Sequence, residues 1–220
     1  MVAPKMQEYN VADKKETVKL MALLLVLAAW MVFIFGMSAN NGDDSQGLSD
    51  RVAAILASAF VPGFDGFSAV DQQAVLQAMS FPIRKAAHFT EYAILGALAF
   101  ASLGQAHRVR RLAKASGSAV ANVTGASKSA AASAASSASA LASARKRLSK
   151  QALIAIMFSF AYAVLDEFHQ LFVAGRCGQP FDVLIDTLGA ITAVVVICAI
   201  LFARADKVSA WKVSAWNLFI

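Results

Sequence analysis

The chain has 220 residues, of which 58% are hydrophobic and 15% charged, with a mean hydropathy of +0.58. That balance excludes an ordinary soluble domain of this length and points to an integral membrane protein. A net charge of +6 would suit nucleic acid, but the basic residues cluster where anionic inner-leaflet lipid attracts them, so no nucleic-acid partner is expected.

Residues 1–19 read as a cytoplasmic segment carrying Lys5, Lys14, Lys15 and Lys19. An uncharged run follows from Leu20 to Ser38, close to the roughly 20 apolar residues that cross about 30 Å of hydrocarbon. A cleavable signal would share its basic flank and small residues, but the run is long for a signal core, which favours a retained helix. In residues 39–82, Val52, Ile55, Leu56 and Phe60 recur at helical spacing after Ser49. Ser68 with Asp71 resembles a capping box before Val70, Val75, Leu76 and Met79. The expectation is two short amphipathic helices in an outer loop, with Pro82 in the first turn of the second span.

The second apolar window, Ala86 to Leu103, opens with His88 and Glu91. Residues 105–151 then form a basic loop, almost entirely Ala, Ser and Gly from Ala113 to Ala144, with partial helix expected over Ala126–Leu148. Asn122-Val123-Thr124 matches a glycosylation pattern only formally, because the loop is expected on the cytoplasmic side. The third window, Ala152 to Phe172, closes with Asp166, Glu167, His169 and Gln170. The fourth, Val183 to Ala203, follows Asp182 and contains Asp186. Residues 206–220 repeat Val-Ser-Ala-Trp around Lys212, ending at Trp211 and Trp216, and read as an interfacial tail.

Charge sets the orientation. Between Glu91 and Asp166 there is no acid, against nine Lys and Arg, whereas the loop after the first window holds Asp43, Asp44, Asp50, Asp65 and Asp71. The positive-inside rule therefore gives an all-α protein with four transmembrane helices and both termini cytoplasmic. Cys177 and Cys198 would lie too far apart for a disulfide, roughly 24 Å at 1.5 Å per residue.

In that topology the start of the second span, the end of the third and the start of the fourth meet at the outer face. Helical spacing puts Arg84, His88, Glu91 and Tyr92 on one face, lines Asp166 up with His169 and Gln170, and stacks Asp182 on Asp186. Glu167 is turned away by about 100°. Glu167 and Asp182, at span ends, are expected in the headgroup layer, with acids near a helix N-terminus favouring its dipole. Arg176 can fold over these acids and pair with Asp182. Ionisable groups inside spans cost roughly 2.5 to 3.5 kcal/mol each on insertion scales, so a cluster of them marks a site. The candidate binding residues are Arg84, Lys85, His88, Glu91, Tyr92, Asp166, Glu167, Gln170, Arg176, Asp182 and Asp186, and the candidate acid–base groups are His88, Glu91, Asp166 and His169.

Lys85-Ala-Ala-His88-Phe-Thr-Glu91-Tyr92-Ala-Ile-Leu95-Gly96 resembles the K-x-x-H-x-x-E-Y-x-x-L-G signature of VanZ-like membrane proteins. Asp166-Glu167-x-x-Gln170 with Gly175-Arg176 and Asp182-Val183 through Gly189-Ala190 resembles their second block. The likeness covers about Leu20 to Phe202, implying a four-helix membrane domain over 20–205. The long Ala/Ser loop and Asp186, where many members carry a polar amide, depart from the pattern. The resemblance implies a multi-pass protein of a bacterial inner membrane, in a family named for a protein associated with teicoplanin resistance.

Two functions follow as expectations. One is recognition of an anionic or lipid-linked cell-envelope component, or of a lipoglycopeptide, through Arg84, Lys85 and Arg176. The alternative is an intramembrane enzyme acting on a lipid phosphate by acid–base or metal-assisted chemistry. Membrane lipids are the expected partners and no cofactor is expected; a divalent metal held by His88, Glu91, Asp166 and His169 is a weaker alternative, because no HExxH-like spacing exists. A proton-linked transporter ranks last, with four helices and no inverted repeat. The sequence leaves binding or catalysis, and the oligomeric state, open.

Overall fold

The computed structural model describes residues 3–121 and 133–217, with side chains over 14–42, 45–114 and 142–204. The glycosylation pattern at 122–124, the loop stretch 126–132 and the side chains of Asp43, Asp44, Trp211 and Trp216 lie outside the described residues. The regular structure is helical: α1 Ala3–Ser38, α2 Gly42–Phe60, α3 Ala69–Ala121, α4 Ser133–Gln170 and α5 Pro180–Asn217, with a 3-10 turn at Phe64–Gly66. Among the described residues, four stretches are long and apolar enough to cross a membrane: Lys14–Ser38, Ala69–Lys114, Ala142–Gln170 and Pro180–Arg204.

Helix boundaries follow local chemistry. Ser68 caps α3 as expected: Asp71 N–H donates to Ser68 Oγ at 3.2 Å, and that hydroxyl donates to Asp71 Oδ2 at 2.7 Å. Pro180 opens α5, where a missing N–H costs nothing. One expectation fails. Pro82 does not begin a helix but lies inside α3, so the second amphipathic stretch of the loop is the first part of a 53-residue helix. A proline leaves the carbonyl four residues earlier unpaired and usually breaks a helix. Contacts with the preceding segment hold the turns before it: Ser80 Oγ bonds to the Asp50 carboxylate, and Gln72 Nε2 donates to the Phe64 and Phe67 carbonyls at 3.2 and 3.3 Å. Only α2 of the two expected loop helices stands alone, and it begins at Gly42 rather than near Ser49.

The chain divides into two compact units. The first comprises Met1–Ala28, Ala97–Ala155 and Val194–Ile220. Its core includes Phe100, Ala155 and Val194, and Gln151 Nε2 donates to the Phe100 carbonyl at 2.7 Å across a buried contact. Glu16 accepts from Gln105 at 2.8 Å and from Lys19 at 2.6 Å.

The second unit comprises Ala29–Gly96 and Ile156–Ala193. The run beginning at Leu20 ends inside it. Ile34 is buried, Trp30 Nε1 donates to the Glu91 carbonyl at 2.9 Å, and the Met31 carbonyl accepts from the Tyr162 hydroxyl at 2.6 Å. Small residues let α3 and α5 approach closely. A Cβ on Gly189 would stand 2.1 Å from the Phe89 carbonyl oxygen, and one on Gly96 would stand 2.9 Å from Ala190 Cα. Such contacts are how helices pack in lipid, where apolar burial provides no drive between them. Between α4 and α5, Gly175 adopts φ 72°, and Gly42 N–H donates to the Ala174 carbonyl at 3.1 Å. Large apolar side chains such as Leu25, Val32, Leu165 and Leu184 point outward, as lipid-facing positions would.

Candidate functional site

Within the second unit, α3 and α5 run in the same direction and carry matching polar residues. Lys85 Nζ pairs with Asp182 Oδ1. One turn on, His88 Nδ1 lies 3.4 Å from Asp186 Oδ1. The spacings of three on α3 and four on α5 return each side chain to the shared face. Asp186 is fully buried, and neither of its carboxylate oxygens has a hydrogen-bond partner among the described residues; His88 Nδ1 likewise lacks one.

The last turn of α4 adds two more acids. Asp166 and Glu167 are 3% and 5% exposed, and Asp182 is 6% exposed. Glu167 and Asp182, expected at exposed span ends, are thus covered by protein. The hairpin after α4 folds back over that turn, so both of its sides are covered. Gln179 N–H donates to Glu167 Oε2 at 2.8 Å, and Gln170 Nε2 reaches Glu167 Oε1 at 3.2 Å and Asp166 Oδ2 at 3.4 Å. Asp166 Oδ1 keeps no hydrogen-bond partner among the described residues.

Two arginines overlie the acids. Arg84 Nη2 donates to Gln46 Oε1, while its Nε is buried without a hydrogen-bond partner among the described residues. Arg176 donates to the carbonyls of Asn40 at 3.1 Å and Met37 at 3.3 Å, satisfying the open C-terminal end of α1. The expected pair of Arg176 with Asp182 does not form, because Lys85 takes that carboxylate. Among the described residues neither arginine makes a salt bridge, and burial followed by repulsion from Arg84 lowers the Arg176 pKa from the usual arginine value.

Two cavities open between these groups. One of about 130 Å³ is bordered by Ser38, Arg84, His88, Glu91, Asp166 and Arg176 against apolar Ile34, Leu48, Val52 and Ile83. The other, of about 350 Å³, is bordered by Gln46, Arg84, Lys85, His88, Gln170, Arg176 and Asp182. Arg84, His88 and Arg176 line both. The combination can hold an anionic oxygen group beside the arginines, next to an apolar wall.

Other candidates are placed differently. His169 lines neither cavity; its ring lies 4.3 Å from that of Phe35, and no hydrogen bond joins it to Asp166. Tyr92 is fully buried, with its ring 6.3 Å from that of Tyr162, and it also lines neither. Beside the sequence-based ligand set of His88, Glu91, Asp166 and His169 stands a second: among the described residues, His88, Glu167 and Asp186 offer ligand atoms all within 4.8 Å of one another. Helical spacing within one helix could not reveal that set, which three helices assemble. Gln46, Gln179 and Trp30 were also missed; Gln46 on α2 and Gln179 just before α5 were legible only as polar residues near helix starts.

The first unit holds a separate open cavity of about 930 Å³, with Arg108, Arg110, Arg111, Lys114 and Arg147 around apolar Leu112, Ile197 and Leu201. The two cysteines are free thiols, Cys177 exposed and Cys198 half-buried.

Comparison with curated proteins and with solved structures gives no match. The family model described as VanZ/LLP1 matches residues 23–202, a stretch that contains every residue of the site. With four apolar helices and that match over most of its length, this multi-pass membrane protein belongs to the VanZ/LLP1 family.

Proposed function

We propose that the second unit faces the outer surface of a bacterial inner membrane and recognises an anionic or lipid-linked envelope component, or a lipoglycopeptide, through Arg84 and Arg176. The observation that carries this reading is that both guanidiniums line both cavities and neither is neutralised by a salt bridge among the described residues. Guanidinium groups bind phosphate and carboxylate in a bidentate fork, and a half-buried position strengthens that attraction. The apolar wall of Ile34, Leu48, Val52 and Ile83 suits the chain of a lipid-linked ligand. Orientation follows from the basic residues between Glu91 and Asp166, which belong on the cytoplasmic side.

The test is binding of a polyprenyl phosphate, and separately of teicoplanin, to purified full-length protein. Arg84→Gln and Arg176→Lys are expected to weaken binding of at least one of them about tenfold, in line with loss of a charged hydrogen bond. Equal affinity in wild type and both variants overturns the reading.

An intramembrane enzyme acting on a lipid phosphate is a second reading, favoured by His88, Glu167 and Asp186 converging beside the same cavities. Release of inorganic phosphate from a lipid phosphate, lost in His88→Ala, would support it; no release by the wild type counts against it.

A further inference from the structure

We infer that His88, Glu167 and Asp186 form a binding site for one divalent transition-metal ion, with zinc the best fit. The three side chains come from α3, α4 and α5, and their ligand atoms lie within 4.8 Å of one another. Ligand atoms about 2.0–2.1 Å from a tetrahedral zinc stand roughly 3.3 Å apart. The 3.4 Å from His88 Nδ1 to Asp186 Oδ1 matches one edge of that tetrahedron.

An ordinary histidine–aspartate pair accounts less well for the geometry. Such a pair would point an N–H squarely at the carboxylate; here His88 Nδ1 and Asp186 Oδ1 stand at an ion-pair distance of 3.4 Å without good hydrogen-bond geometry, and Asp186 Oδ2 has no hydrogen-bond partner among the described residues. A fully buried carboxylate with one oxygen unpartnered is costly in a membrane-embedded bundle, and a cation bound to it relieves that cost.

The composition of the cluster points the same way: the five carboxyl groups of Glu91, Asp166, Glu167, Asp182 and Asp186 outnumber the three permanent cations Arg84, Lys85 and Arg176.

Surrounding groups are arranged as supports for ligands. Gln179 N–H and Gln170 Nε2 fix the Glu167 carboxylate while leaving lone pairs available, as outer hydrogen bonds do for metal-bound carboxylates. One imidazole and two carboxylates suit zinc and manganese better than softer ions. Three protein ligands leave a fourth position, and of the three it is His88 that borders the two cavities.

The experiment uses full-length protein carrying no histidine tag, stripped with chelator in detergent and titrated with Zn²⁺ alone, with bound metal counted by elemental analysis. About one equivalent per chain is expected. Asp186→Asn, which keeps shape, and His88→Ala should each weaken binding at least tenfold, whereas Cys177→Ser should retain it. Co²⁺ substituted into the wild type should show the visible bands of a tetrahedral nitrogen–oxygen site, a readout that survives if His88→Ala fails to fold. Zn²⁺ well below one equivalent, unchanged binding in Asp186→Asn, or a thiolate charge-transfer band would each overturn the site. Because the probe is the metal alone, this result stands or falls separately from lipid or lipoglycopeptide binding.

Discussion

Lys85 of α3 and Asp182 of α5 form a largely buried ion pair one helical turn from His88 and Asp186. The two rungs tie α3 to α5 beside both arginines, so their charges bear on stability as well as on the site. Removing one member of a buried pair leaves the other charge uncompensated.

Lys85→Met is therefore expected to destabilise the protein by about 3 kcal/mol, and the double variant Lys85→Met, Asp182→Leu to recover most of that loss. Unfolding in detergent checks this through the double-mutant cycle. A double variant no more stable than the single would show that the pair is not the relevant interaction.

The contact between α3 and α5 predicts a contrast among glycines. Gly189→Ala places a Cβ 2.1 Å from the Phe89 carbonyl oxygen, so helix backbones must separate; a loss of about 1–3 kcal/mol or more follows. Gly36→Ala meets nothing within 4 Å and should be neutral or stabilising by up to about 1 kcal/mol, as alanine favours helix. Thermal melts of the two variants side by side give the comparison, and equal melting temperatures would contradict the close packing.

Arg176 has a structural role beside its proposed binding role, because it donates to the Asn40 and Met37 carbonyls. Arg176→Ala should cost about 1.5–3 kcal/mol, the range for hydrogen bonds to charged groups. Hydrogen exchange should speed up at the end of α1 and the start of α2 while core amides around Leu95 keep their protection. Uniform loss of protection would mean global destabilisation instead.

Cys177 offers a test of orientation, being exposed and within the unit that holds the site. In intact spheroplasts a membrane-impermeant maleimide should label Cys177 from outside, and Cys177→Ser should abolish the signal. Labelling only after lysis would place this unit on the cytoplasmic side.

Much of the architecture was legible because hydropathy is a local property. An apolar run such as Leu20–Ser38 has few structural options in lipid, where backbone groups must bond within their own segment. Helical spacing likewise put Asp182 over Asp186, and Ser68 with Asp71 marked the start of a helix. The continuity of α3 through Pro82 was not legible, since it rests on bonds from Ser80 and Gln72 to residues of the preceding segment.

By itself the sequence determined four apolar helices, their expected orientation and the set of ionisable residues brought to one region. Only the tertiary structure decided which of them meet: Lys85 rather than Arg176 takes Asp182, His169 lies against Phe35 with its ring tilted, and Glu167 joins His88 and Asp186. The physical reason is that periodicity fixes the face of each helix, whereas partners across helices depend on approach and register. Those are set by small residues such as Gly96, Gly189 and Ala190 and by the turn at Gly175.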